Sequence, residues 1–248
     1  MKVRILPNPE SVDALSARAL LEQLQDRPDS VIGLSTGHTT EPVHSLFVEL
    51  CHLLSPDLSR VTFFGIDEVA NVPREYSGAC YTMLKTEVVD PLGLREDQFL
   101  MLPSECHDYP SACREFTAEI GRRGGADFIF LGLGENAHLG FNQPGTPFDA
   151  PCRLSEMYPE LEERIRKETG TPPEKPLGGV TLGPRDILTG RKLFLAAKGA
   201  SKAPAVRAML EGPVTESVPA SILQLHPDVS ILLDAEAASL LTRDYERQ

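Results

Sequence analysis

The chain reads as an α/β protein with a doubly wound, mostly parallel sheet and helices on both faces. Two observations carry this. Seven short apolar runs, each the length of a strand, alternate with stretches whose apolar residues recur at three- and four-residue spacing. The runs are continuously apolar where a half-exposed strand would alternate, as expected for strands covered on both sides.

The first strand is expected at Val3 to Leu6, followed by a helix over Ser11 to Gln25. Strands then fall at Val31 to Leu34 and Val61 to Ile66, with a helix over Pro42 to Leu53 between them. A helix over Tyr81 to Val88 leads to a strand at Phe99 to Leu102, and a helix over Ser111 to Arg122 leads to one at Phe128 to Leu133. The last pair, Leu193 to Ala197 and Val229 to Leu233, flanks a helix at Lys202 to Leu210, and a final helix is expected at Ala235 to Thr242. Residues 150 to 175 are polar and proline-rich, so a helix over Pro159 to Lys167 between loops, forming a flap, is expected there.

The 248 residues, 41% of them hydrophobic, suffice for one large domain with a sizeable core spanning residues 1 to 248. A net charge of −12 with no strongly basic run argues against nucleic acid as a partner, though a pocket with its own local field still suits a small anion. The five cysteines form no Cys-x-x-Cys pair and have no histidines at finger-like spacing, so neither a metal site nor a disulfide framework is expected. No apolar run reaches the length of a membrane span, and the opening residues alternate like a strand, unlike a signal peptide; a soluble cytoplasmic protein is expected.

Three strand ends carry polar residues suited to chemistry. At Gly33-Leu34-Ser35-Thr36-Gly37-His38-Thr39-Thr40-Glu41-Pro42 a strand runs through a small-residue turn into a helix, which aims backbone N–H groups and the helix dipole at one point and suits a phosphate. The plainer reading is an ordinary link with Thr40 as N-cap; the segment is neither a Walker loop nor a dinucleotide fingerprint. At Ile66-Asp67-Glu68 a buried strand delivers two carboxylates to its carboxyl end. A carboxylate there is placed to abstract a proton from a substrate carbon; the plainer reading is that one of the pair caps the following turn, and because adjacent side chains diverge, at most one is expected to face the pocket. At Gly132-Leu133-Gly134-Glu135-Asn136-Ala137-His138 a lone histidine follows a Gly-x-Gly, with Asn136, Asn142 and Gln143 around it. In open α/β sheets this edge is where ligands bind. Lys198 and Lys202 bracket a further strand-to-helix turn and are a second candidate phosphate contact.

Taken together and in this order, these segments resemble the glucosamine-6-phosphate deaminase/isomerase family and its galactosamine-6-phosphate relatives over nearly the whole chain. That family's Leu-Pro-Thr-Gly-Ser-Thr-Pro loop is similar to residues 34 to 40, and its Asp-Glu-Tyr-x-x-Leu-Pro to residues 67 to 73. Its Gly-x-Gly-x-Asp/Asn-Gly-His-x-x-Phe-Asn-Glu-Pro is similar to residues 132 to 144, and its Gly-x-x-Lys-Ala to residues 199 to 203.

The resemblance implies a Rossmann-like fold and an amino-sugar 6-phosphate as substrate, converted to the ketose 6-phosphate with release of ammonia and without metal or organic cofactor. It also implies roles. His138, oriented by Asn136 and Gln143, opens the pyranose ring, and Asp67 shuttles a proton between C2 and C1. Backbone amides of Thr36, Gly37, His38 and Thr39, with Lys202, hold the phosphate. Lys167 or Arg166 stands nearest to the phosphate-binding arginine that the family pattern places in the 160s. A small sugar phosphate is thus the expected partner, and self-association is left open.

The departures are informative. Position 143 holds Gln where the family has Glu, position 137 Ala for Gly, position 69 Val for Tyr, and positions 38 and 40 His and Thr for Ser and Pro. With amides at 136 and 143, no carboxylate stabilises an imidazolium, so the pKa of His138 is expected near the unperturbed ~6.5, and ring opening is expected to be slow. Two other readings share the pattern. A 6-phosphogluconolactonase resembles the same fold but lacks the continuation seen at Phe141-Asn142-Gln143-Pro144. A sugar-phosphate sensor would keep the phosphate loop without turnover.

Overall fold

The computed structural model describes residues 1–247. The chain forms β1 (Lys2–Leu6), α1 (Pro9–Asp26), β2 (Val31–Leu34), α2 (Glu41–Leu54), β3 (Thr62–Gly65), β4 (Asp67–Ala70) and α3 (Cys80–Leu84), which continues as a π-helical turn over Lys85–Val89. It proceeds through β5 (Phe99–Leu100), α4 (Tyr109–Arg122), β6 (Phe128–Gly132), β7 (Arg153–Ser155), α5 (Pro159–Thr169), β8 (Gly178–Thr181) and α6 (Pro184–Ile187). The last elements are β9 (Lys192–Ala197), α7 (Ala203–Glu211), β10 (Val229–Asp234) and β11 (Glu246–Arg247).

Eight strands form the central sheet in the order β11-β1-β10-β9-β6-β2-β3-β5, every neighbouring pair parallel. Alternation along each strand divides the apolar residues between two cores. Phe63, Phe128, Phe130 and Phe194 meet α1 and α2 through Leu20, Leu24 and Phe47, while Phe64, Ile129, Leu131 and Leu195 meet α4 and α7 through Phe116 and Met209. The long helices start where the sequence supplies a cap and a proline: Asn8 and Asp108 accept the N–H groups of Ser11 and Ser111 at 2.9 and 3.0 Å, ahead of Pro9 and Pro110.

The chain steps from β2 outward to β3 and β5, then returns to β6 and continues the other way through β9 and β10. The direction of winding therefore reverses between β2 and β6, and the crevice beyond their carboxyl ends is the switch point where such sheets bind ligands. Ser35 joins the two strand ends there. Its N–H and hydroxyl both donate to Phe130 O, at 3.1 and 2.9 Å, and its hydroxyl oxygen accepts the Gly132 N–H at 3.0 Å.

A second, antiparallel sheet in the order β4-β8-β7 covers this crevice, and was not expected from the sequence. It has its own small core of Val69, Val72, Phe141, Met157, Ile165 and Leu177, which seats α5. The expected flap is therefore more structured than a helix between loops. Arg166 binds Glu162 within the helix and the carbonyls of Pro172 and Lys175, and the Tyr76 hydroxyl binds Glu168, so the C-terminal end of α5 is tied down. The helix expected at Ala235 to Thr242 is absent: successive turns take its place, because the Asp234 carboxylate captures the Ala237 N–H and Glu211 captures those of Thr242 and Arg243. No helix among the described residues is long and apolar enough to cross a membrane.

Candidate active site

Because the central strands are parallel, the polar loops after β2, β6 and β9 all open at one edge of the sheet, and β4 leaves β3 at the same edge. The two adjacent carboxylates part there. Glu68 turns back and accepts the N–H groups of Val69 and Cys80 at 2.7 Å and of Tyr81 at 2.8 Å, capping the first turn of α3. Asp67 is left for the crevice. It is buried, and its Oδ1 meets no nitrogen or oxygen donor among the described residues. Burial, and then the charge of Glu68, raises its pKa to about 7, which brings a carboxylate into the range of a general base at neutral pH.

The loop after β6 packs directly on Asp67. Gly140, at φ 56°, comes so close that a Cβ there would stand 2.7 Å from Thr181 Oγ1 and 3.1 Å from Asp67 Oδ2, so only glycine serves both the backbone and the contact. Upstream, the His138 ring lies on the face of Gly134. The ring is oriented by an amide chain: His138 Nδ1 is 2.7 Å from Asn136 Oδ1, and Asn136 Nδ2 donates to Gln143 Oε1 at 2.9 Å. The same Asn136 oxygen accepts the His138 N–H at 3.2 Å, so it acts as acceptor; Nδ1 carries the proton and Nε2 is left as a lone-pair site.

The expected near-normal His138 is corrected. Burial, and then the positive charge of Lys202, lowers its pKa to about 4, because the amide chain supplies no negative charge to offset either. Asn142 is also corrected from an open-edge residue to a brace. It is fully buried, its amide donates to the carbonyls of Leu139 and Leu182 at 2.8 Å, and its oxygen accepts from Arg153 at 2.8 Å.

In the loop after β2, Thr40 is helical and donates its hydroxyl to Gly37 O, so it is not the capping acceptor that a plain strand-helix link would use. The N–H groups of Thr40 and Glu41 close on the same carbonyl, at 2.9 and 3.0 Å. Those of Gly37, His38 and Thr39 find no acceptor among the described residues. His38 is exposed, while Thr36 turns inward and donates to Cys80 Sγ at 3.3 Å. The two lysines of the β9 loop differ in availability. Lys198 is held by Asp13 on α1, whereas half-buried Lys202 lies within electrostatic reach of His138 and Glu135, its pKa lowered by burial. Lys167 is exposed in the last turn of α5, and its neighbour Arg166 is occupied by Glu162 and two carbonyls.

Sequence reasoning passed over three neighbours of this site. Arg153 braces Asn142, Cys80 touches Thr36, and the Tyr158 ring stands 6.4 Å from that of His138, centroid to centroid. All three lie in β7, α3 or the approach to α5, whose tertiary positions have no local signature. Among the described residues, no three His, Cys, Asp or Glu side chains converge as a metal set.

Comparison with known proteins agrees with this geometry. The profile of the family described as glucosamine-6-phosphate isomerases/6-phosphogluconolactonase matches residues 10–231. A relative in Escherichia coli (strain K12), AgaI, named provisionally as a deaminase, is 36% identical over 236 residues, covering 94% of this chain and 92% of its own length. The glucosamine-6-phosphate deaminase of Bacillus velezensis is 32% identical over 229 residues, covering 92% and 95%. Among solved structures, a monomeric glucosamine-6-phosphate deaminase of the NagB superfamily superposes with a TM-score of 0.90 at 29% identity, covering 97% of this chain and 100% of that one. The 6-phosphogluconolactonase of Trypanosoma cruzi is a more distant likeness, with a TM-score of 0.78 at 21% identity over 98% and 97% of the two chains. With its sheet, its crevice at the β2/β6 switch and its sequence in agreement, this chain belongs to the glucosamine-6-phosphate isomerase/6-phosphogluconolactonase family.

Proposed function

We propose that this protein is an amino-sugar-phosphate isomerase/deaminase, converting glucosamine 6-phosphate or galactosamine 6-phosphate to the corresponding ketose 6-phosphate and ammonia. The observation that carries the reading is the contact of two loops: a buried, underpartnered carboxyl at Asp67 lies against the same β6 loop that presents His138. His138, as a neutral imidazole with Nε2 free, takes the proton of the anomeric hydroxyl as the C1–O5 bond breaks and returns it to the ring oxygen, leaving the open-chain aldehyde. Asp67 then removes the C2 proton and delivers it to C1, passing through an enolamine; C2 emerges as an imine, which water hydrolyses to the ketone and ammonia. The unpartnered amides of residues 37 to 39, together with Thr36, Lys202 and Lys167, are assigned to the phosphate, which fixes C2 relative to Asp67 and makes the proton transfer effectively unimolecular.

The test is ammonia release from the two hexosamine 6-phosphates. Acid released from 6-phosphogluconolactone without ammonia from either amino sugar decides for a lactonase, and ligand binding without any turnover decides for a sensor. A second expectation concerns Gln143. Gln143→Glu places a carboxylate beside Asn136, favours the imidazolium and raises the His138 pKa from about 4. Turnover of the cyclic amino sugar should rise by roughly tenfold, at the low end of what general acid–base groups contribute. If the variant is no faster than wild type, the amide chain is not what limits ring opening.

A further inference from the structure

Between β7 and α5 the chain is fixed against the loop that carries His138. Arg153 donates to Asn142 Oδ1 at 2.8 Å, and the Ser155 hydroxyl donates to Phe141 O at 3.1 Å. Met157 is buried in the small core of the cover. The Tyr158 backbone that follows is extended, so its side chain leaves on the opposite side, where the ring stands 6.4 Å from that of His138 and is tilted to it by 33°. This side chain is 38% exposed, the one aromatic among the exposed large hydrophobic side chains of the described residues, and its hydroxyl has no partner among them. Packing on the cover accounts for Met157; it does not account for an aromatic ring left partly in water beside the histidine.

A closed pyranose offers such a ring a partner. Its axial C–H groups form an apolar face, and their weakly positive hydrogens suit the negative face of an aromatic π-system, whereas an open chain has no fixed face to present. A hydroxyl hydrogen-bonded to Nε2 of His138 lies about 4 Å from the imidazole centroid, so a sugar ring seated there comes within reach of Tyr158. We propose that Tyr158 is a substrate-binding residue that selects the ring form: its side chain, held over the β6 loop by the cover, packs on the face of the pyranose whose C1–O5 bond His138 opens. This role rests on the reading of the crevice as a sugar-phosphate site, and extends it by giving the antiparallel cover a part in recognition and by separating the contacts of cyclic and open-chain ligands.

Calorimetric titration with two probes that lack the amino group tests this: glucose 6-phosphate, a closed ring, and glucitol 6-phosphate, which has no ring to close. Tyr158→Ala should weaken binding of glucose 6-phosphate by roughly fivefold, the scale of one aromatic contact, and leave glucitol 6-phosphate within about twofold of wild type. Tyr158→Phe keeps the ring and should hold both affinities near wild type. Both variants should fold, because the Tyr158 side chain makes no hydrogen bond and the first N–H groups of α5, those of Leu161 and Glu162, are accepted at 3.1 Å by its carbonyl, which every substitution retains. In ammonia release, Tyr158→Ala should raise KM for the amino sugar by a similar factor with kcat little changed, since Asp67 lies on β4, away from the β7–α5 segment. An unchanged affinity of Tyr158→Ala for glucose 6-phosphate, an equal loss for both probes, or a loss in Tyr158→Phe that matches Tyr158→Ala overturns the proposal. A wild type that binds neither probe and releases no ammonia brings down the sugar-phosphate reading and this role with it, so the two failures are told apart.

Discussion

Replacing Asp67 with asparagine is expected to lower kcat for ammonia release by about 10³-fold while leaving KM within a few-fold of wild type, since general-base groups contribute on the order of 10²–10⁴. The amide has the same shape and fills the same buried site, but it cannot take the C2 proton. Glu68 cannot substitute, because its carboxylate is held by three backbone amides, that of Val69 and the two that open α3. The phosphate assignments lie on other loops, so binding should persist. Activity surviving in this variant at more than a tenth of wild type would sink the mechanism.

The same substitution has a signed effect on stability. Folding raises the Asp67 pKa from 3.8 to about 7, so between these values the native state holds a proton that the unfolded chain has lost. Wild-type stability therefore falls as pH rises from about 4 to about 7, by at most on the order of 4 kcal/mol, and is level beyond it. The asparagine side chain of the variant cannot ionise. The variant's unfolding midpoint in denaturant should consequently exceed that of wild type at pH 8 and approach it at pH 4. A shallower wild-type slope would mean that Asp67 is better solvated than its burial indicates. A group that is worth most to the reaction and least to the fold is the usual mark of a working site.

How much of this was legible in the sequence depends on the range of the interaction concerned. The parallel strands were readable because burial on both faces leaves continuous apolar runs such as Phe128 to Leu131, and the edge where chemistry gathers follows from the topology those runs impose. The small sheet was not. β8 opens with Gly178 and Gly179, residues poor in strand propensity, and glycine is required at 179 because the Phe141 ring occupies the place of a Cβ. At residues 235 to 242 local helical periodicity was a false lead, since acceptors from Asp234 and from distant Glu211 claimed the amides first. Which of Asp67 and Glu68 would face the crevice depended on where α3 begins, and the direction of the His138 shift depended on burial and on Lys202, more than sixty residues downstream in the chain. In each case a partner distant in sequence decided the outcome.

Gly134→Ala should reduce kcat/KM on the cyclic amino sugar by about 10²-fold, the scale on which a misplacement near 1 Å is felt in catalysis. A Cβ at this position would fall 2.2 to 2.4 Å from Nδ1, Cε1 and Cγ of His138, inside any tolerable contact, so the imidazole must leave the glycine face. Moving it breaks the 2.7 Å bond to Asn136 Oδ1, and with it the orientation that leaves Nε2 free. The backbone itself has no objection to alanine, for Gly134 is not among the positive-φ glycines, and the clash is with a half-buried side chain at the mouth of the crevice. The variant should therefore fold with a melting temperature within a few degrees of wild type, which distinguishes a displaced ring from a damaged scaffold. Combining it with Gln143→Glu supplies a second check: a carboxylate beside Asn136 can help His138 only while the ring is held, so the double variant should show none of the gain expected of Gln143→Glu alone. Wild-type rates in Gly134→Ala, or a full gain in the double variant, would show that ring opening does not depend on His138 in its observed position.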